Sequence, residues 1–294
     1  PDGIPELARK VNEKGLKFGL WMEPEMISKD SELYRAHPDW CIHIPGRERL
    51  ECRNQLTLDL SRDDVCDWLI GMINGILSGA PIGYVKWDMN RHMSNVGSAL
   101  LPKERQRETA HRYMLGLYRV LEAVVSANPE VLFESCSGGG GRFDAGMLYY
   151  MPQTWTSDDT DPVERLYIQY GTSLVYPASA MGAHVSAVPN HQSGRVTPLK
   201  MRADVAMSGN FGYELDLETF TEEEKDQVRG QIRMRKKVES LVSFGDMYRL
   251  ASPFEGNDTA WMYVSEDKKQ FFFAYFRIQA NVNPALTRVR LQGI

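Results

Sequence analysis

Short apolar runs, each closing on a polar or glycine-rich stretch and followed by a helical pattern, recur along this chain of 294 residues. This rhythm constrains the fold more than any other feature. A brief run that is apolar on both faces is a strand buried on both sides, and helices packed over a parallel sheet provide that burial. The runs are Lys17-Phe18-Gly19-Leu20-Trp21, Ile82 to Trp87, Val131 to Ser135, Thr154 to Ser157, Met181 to Ser186 and Phe211 to Leu215. Helical spacing appears first in Ile4, Leu7, Ala8 and Val11, and again in Val65, Trp68, Leu69, Met72, Ile73, Ile76 and Leu77. Further helices are predicted over about residues 103–127, from Pro162 to about Val175, over Leu199–Met207, and from Thr221 to about Val242. Loops at the strand ends suit a closed barrel better than an open sheet. Six strand–helix units are legible where a (β/α)8 TIM-type barrel needs eight. The chain therefore reads as α/β, a fragment whose first two strands are expected before residue 1.

Residues 1–245 are assigned to this catalytic barrel, incomplete at its N-terminus. From about Tyr248 the pattern changes to alternating strands, Thr259–Val264 and Gln270–Phe276, with Thr287–Leu291 after them. Residues 246–294 are expected to be the truncated start of a C-terminal antiparallel β-sandwich domain.

A hydrophobic content of 43% is enough for a sizeable core, and the net charge of -5 offers no broad positive field for nucleic acid or an anionic membrane. No run approaches a membrane span, and PDGIPELARK lacks the apolar core of a signal peptide. Cys41, Cys52, Cys66 and Cys136 show neither zinc-ligand spacing nor the density of a disulfide framework, which fits a reducing, cytoplasmic setting.

In a parallel barrel the chemistry sits where strands end. Asp88 follows Tyr84-Val85-Lys86-Trp87, and Asp158 follows Thr154-Trp155-Thr156-Ser157. Retaining glycosidases need two carboxyl groups about 5–5.5 Å apart, one nucleophilic and one protonatable, and strands of one rigid barrel can hold such a pair. Either aspartate alone is as readily a helix cap. Lys86, on the same strand face as Asp88, is placed to favour its ionised form. The run Ser135-Cys136-Ser137-Gly138-Gly139-Gly140-Gly141-Arg142 looks like an anion loop but lacks the Gly-Lys-Ser/Thr ending. Cys136 reads as a buried, inert thiol unless a base lies beside it. His184 and His191 have no accompanying carboxylate motif, so no metal or other cofactor is predicted.

The segment YVKWDMNRHMS at 84–94 resembles the nucleophile region of the glycoside hydrolase family thirty-six α-galactosidases. KFGLWMEPEMIS at 17–28, LFESCSGGGGRFDAGMLYYMPQTWTSDDTDPVERL at 132–166 and GAHVSAVPNHQSGR at 182–195 are similar to the same family's barrel strands, in the same order. The resemblance implies hydrolysis of terminal α-D-galactosyl residues, as in melibiose and raffinose, with retention. It implies Asp88 as nucleophile and Asp158, rather than Asp159, as acid/base. Trp21, Arg53, Lys86, Asn90, Cys136 and Gly138 are implied to contact the sugar, with the aromatic face of Trp21 against the ring. It further implies an N-terminal β-domain, a front wall of the pocket outside these residues, and a homo-oligomer, a tetramer in full-length relatives. An α-galactosyl transferase, an α-N-acetylgalactosaminidase and an inactive sugar-binding fragment remain open on the same residues.

Overall fold

The computed structural model describes residues 3–283 and 286–294, and the chain divides into two compact units, residues 1–152 and 153–294. In the first, α1 (Gly3–Glu13) leads into β1 (Phe18–Met22). Next come β2 (Met26–Ile27), α2 (Glu32–Ala36), β3 (Leu56–Thr57) and α3 (Asp63–Gly79). Then β4 (Ile82–Asp88), α4 (Thr109–Ala127), β5 (Leu132–Cys136) and α5 (Ala145–Tyr150) follow. Strand β4 pairs in parallel with β1 on one side and β5 on the other, while β2 and β3 form a short antiparallel ribbon. The core lies where the spacing placed it: Val65, Leu69, Ile73 and Leu77 of α3 and Tyr113, Leu117, Val120, Leu121 and Val124 of α4 pack with Val85, Trp87 and Phe133. Alternation along β4 sends Val85 and Trp87 into that core and Lys86 and Asp88 to the opposite face.

The second unit opens on β6 (Gln153–Thr154), bridged in parallel to Met181. It continues through α6 (Pro162–Ser173), β7 (Gly182–Ser186), α7 (Leu199–Ala206), β8 (Asn210–Glu214) and α8 (Glu222–Phe244), with β7 and β8 parallel. Asp161 caps α6 ahead of Pro162, and a reciprocal Thr221–Glu224 capping box starts α8. An antiparallel sheet follows: β9 (Asp246–Ala251), β10 (Asp258–Val264) and β11 (Phe271–Arg277), with β10 in the middle.

Three readings are corrected here. The strand expected over Thr154–Ser157 ends at Thr154, because the backbone oxygens of Ser157 and Asp159 bond to the Arg165 side chain instead of a ladder. The strand expected over Thr287–Leu291 does not form; the segment lies beside β11, tied by Arg277 Nη2 donating to Thr287 Oγ1 at 2.6 Å. Strand β9 went unread, since only its pairing to β10 reveals it.

Candidate active site

The candidate residues fall into two groups, one in each unit. In the first, register aligns Trp21 with Lys86 and Lys86 with Glu134, and sets Asp88 beside Cys136 at the strand ends. Asp88 is 5% exposed. Its Oδ2 accepts from Trp21 Nε1 at 3.2 Å and from Asn90 Nδ2 at 2.5 Å. Its Oδ1 is buried and has no hydrogen-bond partner among the described residues. One oxygen is anchored and the other is left for chemistry.

Asn90 is committed on both sides of its amide: Nδ2 also donates to Glu23 Oε1 at 2.6 Å, and Oδ1 accepts the Gly138 N–H at 3.1 Å. It therefore positions Asp88 and the glycine-rich loop, in addition to any contact with a sugar. Glu23, which went unnoticed in the sequence, also accepts Gln55 Nε2 at 2.7 Å. Gln55 closes a two-residue turn with Arg53 and Asn54 at its tip, both at positive φ. Arg53 is exposed there and makes no hydrogen bond or ion pair among the described residues.

Lys86 lies on the Asp88 face as expected, and its Nζ forms an ion pair with Glu134 Oε1 at 3.4 Å. Tyr84 O–H donates to Glu134 Oε2. The Cys136 thiol is pushed up to about 12, chiefly by burial and further by the negative charge of Asp88, while Lys86 pulls the other way.

Gly138 and Gly139 take φ of 55° and 82°, the left-handed region that side chains resist. Two of the loop's N–H groups are already engaged, Ser137 N on Gly139 O and Gly138 N on Asn90 Oδ1, in a tight turn. A buried carboxylate holds it from below. Glu25, fully buried, accepts two bonds from Arg142 at 2.8 and 3.0 Å, one from Trp87 Nε1 at 2.8 Å and one from Tyr113 O–H. Glu23 and Glu25 both follow β1. The criterion that found Asp88, a carboxylate just past a strand, also points to them.

In the second unit Asp158 is exposed, and its Oδ1 accepts Trp155 Nε1 at 3.1 Å. Asp159 instead turns onto its own backbone, Oδ1 accepting Asp161 N at 3.0 Å, so its carboxylate is occupied locally. Asp161, fully buried, caps α6 and accepts Ser193 Oγ at 2.6 Å and Arg195 Nη1. His184 lies tilted against Trp155, ring centroids 4.6 Å apart, and meets Glu214 at 3.2 Å, while His191 is exposed.

Comparison with known proteins sets these groups in context. The Melibiase family model matches residues 1–245, and the Glycosyl hydrolase family 36 C-terminal domain matches residues 258–294. The chain is 66% identical to "Alpha-galactosidase AgaA" of Geobacillus stearothermophilus and 50% identical to "Alpha-galactosidase 1" of Pediococcus pentosaceus. Each match takes in 100% of this chain and 40% of the relative, so the chain spans about two fifths of their length. The crystal structure of AgaA superposes with a TM-score of 0.98 over 100% of this chain and 41% of that one; the α-galactosidase of Lactobacillus brevis, 48% identical, gives 0.98 over 100% and 40%. The fold class read from the sequence, part of a (β/α) barrel followed by part of an antiparallel β-domain, holds. With a family model covering most of its length, the chain belongs to the Melibiase family, within glycosyl hydrolase family 36.

Proposed function

We propose that the protein containing this chain hydrolyses terminal α-galactosides with retention of configuration, Asp88 acting as nucleophile and Asp158 as acid/base. The observation that carries the reading is the asymmetry of Asp88: Oδ2 is held by two donors, and Oδ1 is buried with none. Such a carboxylate is oriented and has one oxygen to offer a carbon.

In the first step Asp88 Oδ1 attacks the anomeric carbon as Asp158 passes its proton to the glycosidic oxygen. The C–O bond breaks and a β-galactosyl ester of Asp88 forms. Asp158, now a carboxylate steadied by the Trp155 N–H, takes a proton from water, whose oxygen attacks the same carbon and releases α-galactose and free Asp88. Trp21, anchored through its N–H yet 52% exposed, offers a ring face to the apolar side of the sugar.

Relatives support the substrate class. Crystal structures of AgaA variants are described in complex with raffinose and with stachyose. The aspartates replaced in those two variants stand as far apart in that chain as Asp88 and Asp158 do here. A homo-oligomeric state and a cytoplasmic location belong to the same proposal and rest on the resemblance of the sequence alone.

Chemical rescue tests the two roles. With an activated aryl α-galactoside, Asp88→Gly is expected to be inactive until azide is added, giving the β-galactosyl azide. Asp158→Gly is expected to give the α-galactosyl azide. Turnover by Asp88→Gly without azide, or the same anomer from both variants, rejects the assignment.

A further inference from the structure

Arg165 is 2% exposed, and all its hydrogen bonds go to neutral oxygens. Nε donates to Asp159 O at 2.8 Å, Nη2 to Ser157 O at 2.9 Å, and Nη1 to Thr156 Oγ1 at 2.8 Å and Gly182 O at 3.1 Å. Among the described residues no carboxylate forms an ion pair with it. Burying a guanidinium in this way is costly: burial lowers it to about 10, against the upward pull of Glu214, Asp159 and Asp158. A leucine or methionine would fill the same space without that cost, so what the charge and the planar fork hold in place needs an account.

Two of the four acceptors, Ser157 O and Asp159 O, bracket Asp158 in the chain. A rigid guanidinium fixes both at once, which the single ammonium of lysine does not. Over the guanidinium lies Trp155, its ring centroid 4.6 Å away, and the indole N–H of that ring donates to Asp158 Oδ1. The ring is confined from its other sides. The tilted ring of His184 lies against it, centroids 4.6 Å apart, and a side chain at Gly182 would come within 2.8 Å of its Cε3. The result is an exposed carboxyl on a closely held base.

We infer that Arg165, through Trp155 and the carbonyls of Ser157 and Asp159, is a positioning residue that aims the Asp158 carboxyl for proton transfer without touching substrate. The inference rests on the assignment of Asp158 as acid/base. It predicts a defect selective for reactions that need the proton, which a merely structural role does not produce.

The test compares kcat/KM for melibiose, whose sugar leaving group needs a proton, with kcat/KM for 4-nitrophenyl α-galactoside, whose leaving group departs nearly without one. In the enzyme carrying this chain, Arg165→Lys is expected to lose at least about tenfold on melibiose and less than about threefold on the aryl galactoside. Trp155→Phe, which keeps a ring over the guanidinium but removes the N–H, is expected to shift the ratio in the same direction. Both constants come from one preparation, so the ratio does not depend on how much of a variant folds. Equal losses on both substrates, or none, in both variants overturn the inference. Asp158→Asn is measured alongside. If it shows the melibiose-selective loss and the other two do not, only the role of Arg165 fails; if it does not, the acid/base assignment fails and the inference with it.

Discussion

Asp88 illustrates what a single amide does for a reactive carboxylate. Asn90 donates to Asp88 Oδ2 and to Glu23 Oε1, and its carbonyl oxygen is pinned by Gly138 N, so the amide has one orientation in which every bond is made. Asn90→Ala leaves Asp88 with Trp21 as its remaining donor and frees the glycine-rich loop; a misplacement of about 1 Å is enough to cost on the order of 100-fold. We expect kcat/KM for an aryl α-galactoside to fall by about that factor while the Tm moves by only a few degrees, and rate and melting measured on one sample check both. A comparable rate in the variant would mean that Asn90 does not position Asp88. Cys136 makes the opposite case, a polar atom kept silent. Burial pushes it up to about 12, and pushes Cys41 and Cys66 up to about 11. Iodoacetamide at pH 8 is therefore expected to label the half-buried Cys52 and spare these three, as read by peptide mass spectrometry. Because the folded values lie above the unfolded 9.0, the native state keeps these protons after the unfolded chain has lost them. Their contribution to stability is whole below about pH 9 and falls as pH rises toward 12. Asp88 and the glycine run were legible because they sit beside a short apolar strand. Glu23 and Glu25 meet the same criterion but were passed over, and Arg165 was not legible, because an isolated charge in a sequence looks solvated; the partners that bury Glu25, Arg142 and Tyr113 among them, stand on other elements.

At the scale of the element, two helices use glycine for opposite reasons. Gly116 of α4 is buried, and a Cβ there would sit 1.8 Å from Leu60 O and 3.1 Å from Cys66 Sγ, so the helix seats against the Leu60 turn only without a side chain. Gly71 and Gly75 of α3 are exposed, with nothing within 4 Å of a Cβ. Ala is favoured over Gly in a helix interior by about 1 kcal/mol, so Gly71→Ala is expected to raise stability by up to that amount. Gly116→Ala meets backbone that cannot swing aside and is expected to lose about 1–3 kcal/mol despite the same propensity gain. Paired urea melts decide it: if both variants move in the same direction, the close packing of α4 is not what holds that position. Periodicity made α3 and α4 readable as helices, since their apolar faces recur every three or four positions, although the helix expected from about residue 103 begins at Thr109, after a 3-10 segment at Lys103–Glu108. It failed at Thr154–Ser157, where an apolar-polar alternation reads as a strand but side chains capture the backbone oxygens. Alternation also failed at Thr287–Leu291, because a strand exists only when a partner supplies the ladder.

At the scale of the whole molecule, the parallel strands leave open edges. Strand β1 ends the order of its sheet with β4 on one side, and β8 ends its own with β7 on one side; among the described residues the far edges of both are unpaired. Both strands are five residues long and without proline. Large apolar side chains are also in water, among them Leu16 at 64% and Phe244 at 86% exposure. A polypeptide of these 294 residues made by itself is expected to self-associate through those edges. Light scattering after size exclusion checks this: oligomers or aggregates that grow with concentration support it, whereas a monomer with one cooperative melt shows that the edges are protected within the chain. The activity measurement gains meaning from that result. If the polypeptide is monomeric and hydrolyses an α-galactoside in an Asp88-dependent way, the groups around Asp88 and Asp158 suffice for the chemistry. If it self-associates and is silent while a longer protein containing it turns over, what these residues lack is a covering for their sheet edges, and the catalytic assignment stands.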